Sequence, residues 1–195
     1  NGYTYSFSTF AEAIETAKDG ETIVMTQDVT IDNVLKVADK NVTFNLNGHN
    51  ISSTTDVFEV AGGALTITGD GVVHAATTNG TPYCAVWAYG DAVVNICGGT
   101  YKIGYPTGDY NDLIYAKGNA VINIYGGTFH NSGRENAFVL NVNDQNRSTA
   151  DINVYGGTYE KFNPANNNSE GPNTNFVADG YKSVADGDYF KVVAE

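Results

Sequence analysis

Three asparagines, Asn95, Asn123 and Asn153, occupy the same place in three copies of one segment. Five large aromatics, Trp87, Tyr89, Tyr115, Tyr125 and Tyr155, sit in or just ahead of those copies. If the aliphatics between them point inward along strands, all eight face outward. An aromatic ring covers sugar C–H groups or buries at a protein interface, and an amide bonds hydroxyls. These eight are therefore the candidate ligand-binding residues, for a glycan or a partner protein. The same residue types also have a structural use, because ladders of Asn and aromatics stabilise stacked parallel strands.

Acid–base chemistry is harder to place. Glycoside hydrolysis needs two carboxylates about 5–9.5 Å apart, one on either side of the scissile bond. The outward positions of the best-defined strand read Asn45, Thr66, Asn95, Asn123 and Asn153, then Asn47, Thr68, Cys97, Tyr125 and Tyr155, and none is acidic. Asp70, Asp91, Asp109, Asp112, Asp144 and Asp151 fall in turns or where strands begin, and turn chemistry accounts for Asp there. A lyase or glycosidase would need a loop-built site near Asp109, Asp112, Arg134 and Arg147, the last two being the only arginines. His49, His74 and His130 are scattered over bends and loops, with no spacing that gathers them on a metal. Asp109 with Asp112, and Asp186 with Asp188, resemble calcium pairs only as many turns do. No catalytic residue, metal or cofactor is assigned.

The formal net charge is −12, from 22 acidic and 10 basic residues, with the basic ones scattered singly. Nucleic acid would require a concentrated basic patch, so it is set aside as a partner. No run approaches the ~20 apolar residues of a membrane span, so no membrane insertion is expected. Cys84 and Cys97 are read as two unlinked thiols, since two cysteines make no disulfide framework or zinc site. A chain beginning at Asn1 is expected of a processed protein or of a segment of a longer one.

The elements that position these residues follow from self-similarity. Ala-Val-Val-Asn-Ile-Cys-Gly-Gly-Thr-Tyr (92–101), Ala-Val-Ile-Asn-Ile-Tyr-Gly-Gly-Thr-Phe (120–129) and Ala-Asp-Ile-Asn-Val-Tyr-Gly-Gly-Thr-Tyr (150–159) align without gaps. Weaker copies lie at 65–72 and 44–51, and a degenerate one at 23–31. Aligning Ile23, Phe44, Leu65, Val94, Ile122 and Ile152 gives steps of 21, 21, 29, 28 and 30 residues, which suit turns of a solenoid. Alternation of period two marks a half-buried strand, and Gly-Gly permits a sharp bend where a Cβ would clash. Tyr101, Phe129 and Tyr159 are then inward, stacked from coil to coil. A further strand precedes each copy, as at 85–89, 113–117 and 137–142.

The expected fold is all-β: one single-stranded right-handed parallel β-helix of about six coils with an N-terminal capping α-helix. Residues 1–195 form one domain, with the helix at 8–18, the coils at 22–160, a surface loop at 161–175 and a C-terminal cap at 176–195. Ser8 or Thr9 is the expected N-cap, and Phe10, Ala13, Ile14 and Ala17 share one helical face. The final residues are read as a hairpin turning at 186–188.

A helix running into Asp-Gly-Glu-Thr-Ile23, the stretch Asn-Leu-Asn-Gly-His-Asn-Ile51 and the repeated Gly-Gly-Thr-aromatic motif together resemble the pectin-lyase-like β-helix superfamily. That superfamily includes polysaccharide lyases, glycoside hydrolases, adhesins and phage tailspikes. The Gly-Gly-Thr-Tyr form is similar to repeats of gut-bacterial surface proteins and phage fibres. The resemblance implies an extracellular, cell-surface or virion location. With the missing carboxylate pair, it makes a non-catalytic structural or adhesive module the leading expectation, with a glycan or host-surface ligand. Self-assembly, or a capsid or fibre partner, and a loop-built carbohydrate-active enzyme are the alternatives.

Overall fold

The computed structural model describes residues 6–76, 83–104, 112–130 and 138–195. A short helix, α1 (Phe10–Thr16), precedes β1 (Thr22–Val24), β2 (Val29–Ile31), β3 (Leu35–Ala38), β4 (Asn41–Asn45), β5 (Ile51–Ser53) and β6 (Phe58–Ala61). There follow β7 (Ala64–Thr68), β8 (Val72–Ala75), β9 (Val86–Tyr89), β10 (Val93–Ile96), β11 (Thr100–Ile103) and β12 (Asp112–Ala116). The series ends with β13 (Val121–Ile124), β14 (Thr128–Phe129), β15 (Phe138–Val142), β16 (Asp151–Val154), β17 (Thr158–Glu160), β18 (Tyr181–Asp186) and β19 (Tyr189–Ala194). Up to β17 the strands are dealt in rotation to three parallel sheets. The first sheet is β1-β4-β7-β10-β13-β16, and the third is β3-β6-β9-β12-β15. The second runs from β2 through β5, β8, β11, β14 and β17, then adds β19 and β18 antiparallel. The architecture is all-β and solenoid-like.

The period-two pattern does what its residue types require. Val94, Ile96, Ile122, Ile124, Ile152 and Val154 face one shared core, and each exposes 4% of its surface or less. Around the bend, Tyr101, Phe129 and Tyr159 are fully buried and stack with centroids 5.0 and 4.8 Å apart, their planes within 9°. Each buried ring contributes roughly 1.5–3 kcal/mol by leaving water. The two hydroxyls stay satisfied: Tyr101 donates to the Gly98 carbonyl at 2.9 Å and Tyr159 to the Gly156 carbonyl at 3.0 Å. The two glycines of the bend have different tasks. Gly99, Gly127 and Gly157 have φ of +87°, +110° and +98°, where an L side chain is strained. Gly98 and Gly156 permit contact instead: a Cβ there would lie 2.9 Å from the Gly69 oxygen and 2.3 Å from the Tyr125 oxygen, respectively.

One part of the expected alignment is corrected. Phe44 pairs with Ile67, and Leu65 with Val42, so the weak copies at 44–51 and 65–72 are offset by two residues from the expected match. A slip of two preserves which face is buried. It therefore left the core assignment intact but misplaced the outward residues: Thr43 neighbours Thr66, and Asn45 neighbours Thr68.

Both ends carry elements that lie outside the repeat. Helix α1 is shorter than the expected 8–18, because Ala17 takes an extended ψ of 132°. Thr9 is the N-cap, accepting the Glu12 N–H at 3.2 Å. Phe10 packs on Phe44 with centroids 5.4 Å apart, and Ala13 and Ile14 are buried. The helix lacks a basic residue in its last turn. Lys40 supplies the charge from the turn between β3 and β4, its ammonium reaching the carbonyls of Ile14, Glu15 and Ala17 at 2.9–3.1 Å. At the other end each sheet has its own closure. Residues around Val177 add a parallel bridge to Val154 of the first sheet. The β18–β19 hairpin covers β17 of the second. The Glu170 carboxylate accepts the Val142 N–H of β15 at 2.7 Å in the third. The polar segment 163–175 that carries Glu170 is organised by Asn167, whose amide bonds the carbonyls of Asn163 and Thr174 at 3.1 Å each.

Gly156→Ala, which sets a Cβ against a backbone oxygen of the preceding winding, is expected to cost on the order of 3 kcal/mol. Urea unfolding monitored by circular dichroism measures this, with Gly126→Ala, whose Cβ would lie 3.2 Å from the Cys97 oxygen, as the milder comparison.

Candidate functional site

The eight candidate residues divide between two faces. Asn95, Asn123, Asn153, Tyr125 and Tyr155 belong to the first sheet or its immediate continuation, whereas Trp87, Tyr89 and Tyr115 belong to the third. Of the five aromatics, the asparagines therefore run beside Tyr125 and Tyr155 alone, since strands preceding and following a turn join different sheets.

On the first sheet the asparagines are in register, Asn95 with Asn123 and Asn123 with Asn153. Their amides bond one another: Asn123 Nδ2 donates to Asn95 Oδ1 at 3.1 Å and Asn153 Nδ2 to Asn123 Oδ1 at 3.3 Å. Asn95 Nδ2 continues to Thr66 Oγ1 at 3.4 Å. One residue beyond the paired Ile96 and Ile124, Tyr125 lies beside Cys97 on one side and stacks on Tyr155 on the other, centroids 5.0 Å apart and planes within 13°. Tyr181 meets Tyr155 edge-on at 5.5 Å. Tyr125 is 51% exposed.

On the third sheet the outward ladder reads Lys36, Glu59, Trp87, Tyr115, Asn141. Glu59 is 8% exposed, unusual for a carboxylate, and is held by the Lys36 ammonium at 3.2 Å and the Tyr89 hydroxyl at 2.8 Å. That hydrogen bond to Glu59 pushes the Tyr89 phenol up from its ordinary value. The rings of Trp87 and Tyr89 lie 5.1 Å apart. Trp87 Nε1 is buried and has no hydrogen-bond partner among the described residues. Tyr115 Oη accepts from Asn143 at 2.7 Å, and burial raises its phenol. Asp112 accepts from Asn141 at 2.8 Å, and burial, aided by Glu170, lifts its carboxyl to about 6. Cys84, whose N–H donates to Asp56 at 2.5 Å, has its thiol pushed up by burial and by the Asp56 and Asp112 carboxylates. Cys84 and Cys97 are both free.

The expectation of scattered histidines is also corrected. His74 lies in β8 directly beside Lys102 of β11. Continuing the register one residue past Phe129 and Tyr159 brings His130 and Glu160 into the same outward ladder. His130 Nδ1 sits 2.9 Å from Glu160 Oε2. Burial and the Lys102 charge depress the His74 imidazole. His49 behaves as its turn suggests, its N–H donating to the Leu46 carbonyl at 2.9 Å and its ring 3.3 Å from Asp28.

Of the residues considered for a loop-built enzyme, Asp109 and Arg134 lie outside the described residues. Arg147 borders a cavity of about 280 Å³ with Asp151, Asn153, Glu170 and Phe176. Its guanidinium is engaged by Asp144 at 2.6 Å and Glu170 at 2.8 Å, so it braces the C-terminal closure. Asp186 pairs with Lys191 across the final hairpin. Among the described residues no three His, Cys, Asp or Glu side chains gather as a metal site requires, and no helix is long and apolar enough to cross a membrane.

Compared with family models, with curated proteins and with solved structures, the chain finds no match in any of the three.

The raised Asp112 carboxyl predicts a pH effect with a definite sign. The native state holds this proton more tightly than the unfolded chain, whose Asp titrates near 3.9. Stability is therefore expected to fall as pH rises from about 4 through about 6, by roughly 2–3 kcal/mol. Asp56, also raised by burial, acts in the same direction, whereas the depressed His74 acts oppositely as pH falls. The difference in unfolding free energy between wild type and Asp112→Asn over this range isolates the Asp112 contribution; a difference that does not change with pH refutes it.

Proposed function

We propose that the chain is a right-handed parallel β-helix of about six coils, of the pectin-lyase-like type, acting as a non-catalytic structural or adhesive module on a bacterial envelope or a virion. Rotation of successive strands through three parallel sheets supports the winding, and parallel crossovers are right-handed in about 98% of cases. The non-catalytic reading rests on one observation above the others. The outward ladders of the first sheet are bonded to themselves, amide to amide and ring to ring, as a scaffold needs and a reacting site does not.

A glycan contact fits Tyr125. Its ring is half exposed, stacks on Tyr155 alone among the described rings, and turns its other side toward the small Cys97, with the Asn123 ladder alongside. One sugar ring seated there would have its C–H face on the tyrosine and hydroxyls within reach of amides. A net charge of −12 favours neutral over polyanionic glycans. On an array of neutral and acidic glycans, binding to neutral members is expected. Tyr125→Ala should weaken it about tenfold or more, equivalent to about 1.4 kcal/mol. Cys97→Tyr, which extends the stack over the free face, should weaken it as well. Binding that survives both substitutions, or no binding by wild type, removes the glycan contact.

The ladder of His74, Lys102, His130 and Glu160 favours a second reading, a polysaccharide lyase or glycosidase, because it sets basic groups beside a carboxylate on an otherwise acidic protein. Products released from a polysaccharide panel and lost with Lys102→Ala would support that reading; an inert wild type would end it.

A further inference from the structure

The second sheet ends in β18, whose outer edge has no partner strand among the described residues. β18 is six residues long, lacks proline and is exposed over most of its length. Its turn fixes which backbone groups face outward. Gly187, with φ of +63°, holds the first central position of a two-residue loop between the paired Asp186 and Tyr189, as a type II′ turn requires. The pair closing such a loop is hydrogen-bonded, so Asp186, Val184 and Lys182 turn their backbone groups toward β19. The Glu195 N–H, bonded to the Gly180 carbonyl at 3.0 Å, keeps the same phase. The opposite edge of β19 agrees, since Val192 donates to Gly157 and the Asp188 carbonyl accepts from Lys161, both toward β17. The open edge therefore presents the N–H and C=O of Ser183 and Ala185. The Tyr181 N–H already donates to Ala178 at 3.1 Å.

The exposed face of β18 reads Lys182, Val184, Asp186. Turned end for end about Val184, it is complementary to itself. A second antiparallel copy would set Lys182 against Asp186 twice, and Val184, 44% exposed, against Val184. The hydrogen-bonding phase agrees with this register. Ser183 and Ala185 of the two copies would exchange backbone bonds, while Val184 and the charge pairs fall at the non-hydrogen-bonded positions, where side chains come closest. Asp186 would then be shared between Lys191 of its own hairpin and Lys182 of the copy.

We infer that the chain self-associates through β18 as an isologous antiparallel dimer, joining the second sheets of two copies end to end. Strand addition of this kind buries little side-chain area, so the dimer is weak and its population rises with concentration.

Sedimentation velocity from micromolar to millimolar chain tests it. Wild type is expected to pass from monomer to dimer. Lys182→Asp alone and Asp186→Lys alone should stay monomeric, because each opposes like charges twice. An equimolar mixture of the two variants should dimerise, since each charge again meets its opposite. Ala185→Pro removes an N–H that only the second copy uses, and should also hold the chain monomeric. Circular dichroism of each variant, unchanged at these exposed positions, shows that the fold is retained. Wild type that stays monomeric throughout, a mixture that fails to associate, or a dimer that survives Ala185→Pro would each overturn the assignment.

Discussion

The spacing of stacked parallel strands, about 4.8 Å, governs what this chain can place at every position. It matches the separation of stacked aromatic rings, and Tyr101, Phe129 and Tyr159 sit at 5.0 and 4.8 Å without adjustment. It is also a distance that an Asn amide can span to the next amide, which gives the 3.1 and 3.3 Å bonds of the first sheet. A residue that bonds to its own kind at this spacing gains from recurring, which is why three copies share so much sequence. The Gly-Gly bend follows from the same constraint. Where windings turn, backbone lies on backbone, and at Gly156 the space for a Cβ is already filled by the Tyr125 carbonyl.

A stack built on that spacing has no internal reason to stop, so its ends must be made by other chemistry. The beginning uses a helix that contributes apolar side chains, while Lys40 of the stack satisfies the helix carbonyls in return. Each part thus completes the other. The far end uses three devices for three sheets: a parallel bridge at Val177, an antiparallel hairpin, and a single carboxylate from Glu170 on the last strand. Arg147 balances that carboxylate, which explains an arginine in a chain with only two.

The core was legible in the sequence because it is periodic at two scales, alternation within a strand and recurrence between windings. The hairpin at 186–188 and the unlinked cysteines were legible from local chemistry. The slip at Phe44 and Leu65 was not, because both neighbouring residues are apolar at alternate positions and a shift of two leaves the hydrophobic pattern unchanged. Glu59 and the Lys36–Tyr89 contacts were missed for a different reason. They join positions 23 and 30 residues away, in windings whose copies share too little sequence to reveal the register. His74 and His130 read as scattered for the same cause: their common ladder is visible only once β8, β11 and β14 are known to be adjacent.

In-register stacking rewards identical neighbours when they are apolar, aromatic or amide, and penalises them when they are charged. Lys36 beside Glu59 obeys that rule by opposing signs, and His130 sits beside Glu160. Lys102 next to His74 departs from it and adds to the burial that depresses the imidazole. The amide and ring ladders are satisfied internally and offer a ligand little. On the proposed reading, a ligand meets the positions where ladders break. Tyr125 faces a cysteine instead of another ring, Trp87 keeps an N–H without a partner among the described residues, and Lys102 stands among imidazoles. A regular scaffold makes such breaks conspicuous, because each forgoes a stabilisation that its neighbours obtain by repetition alone.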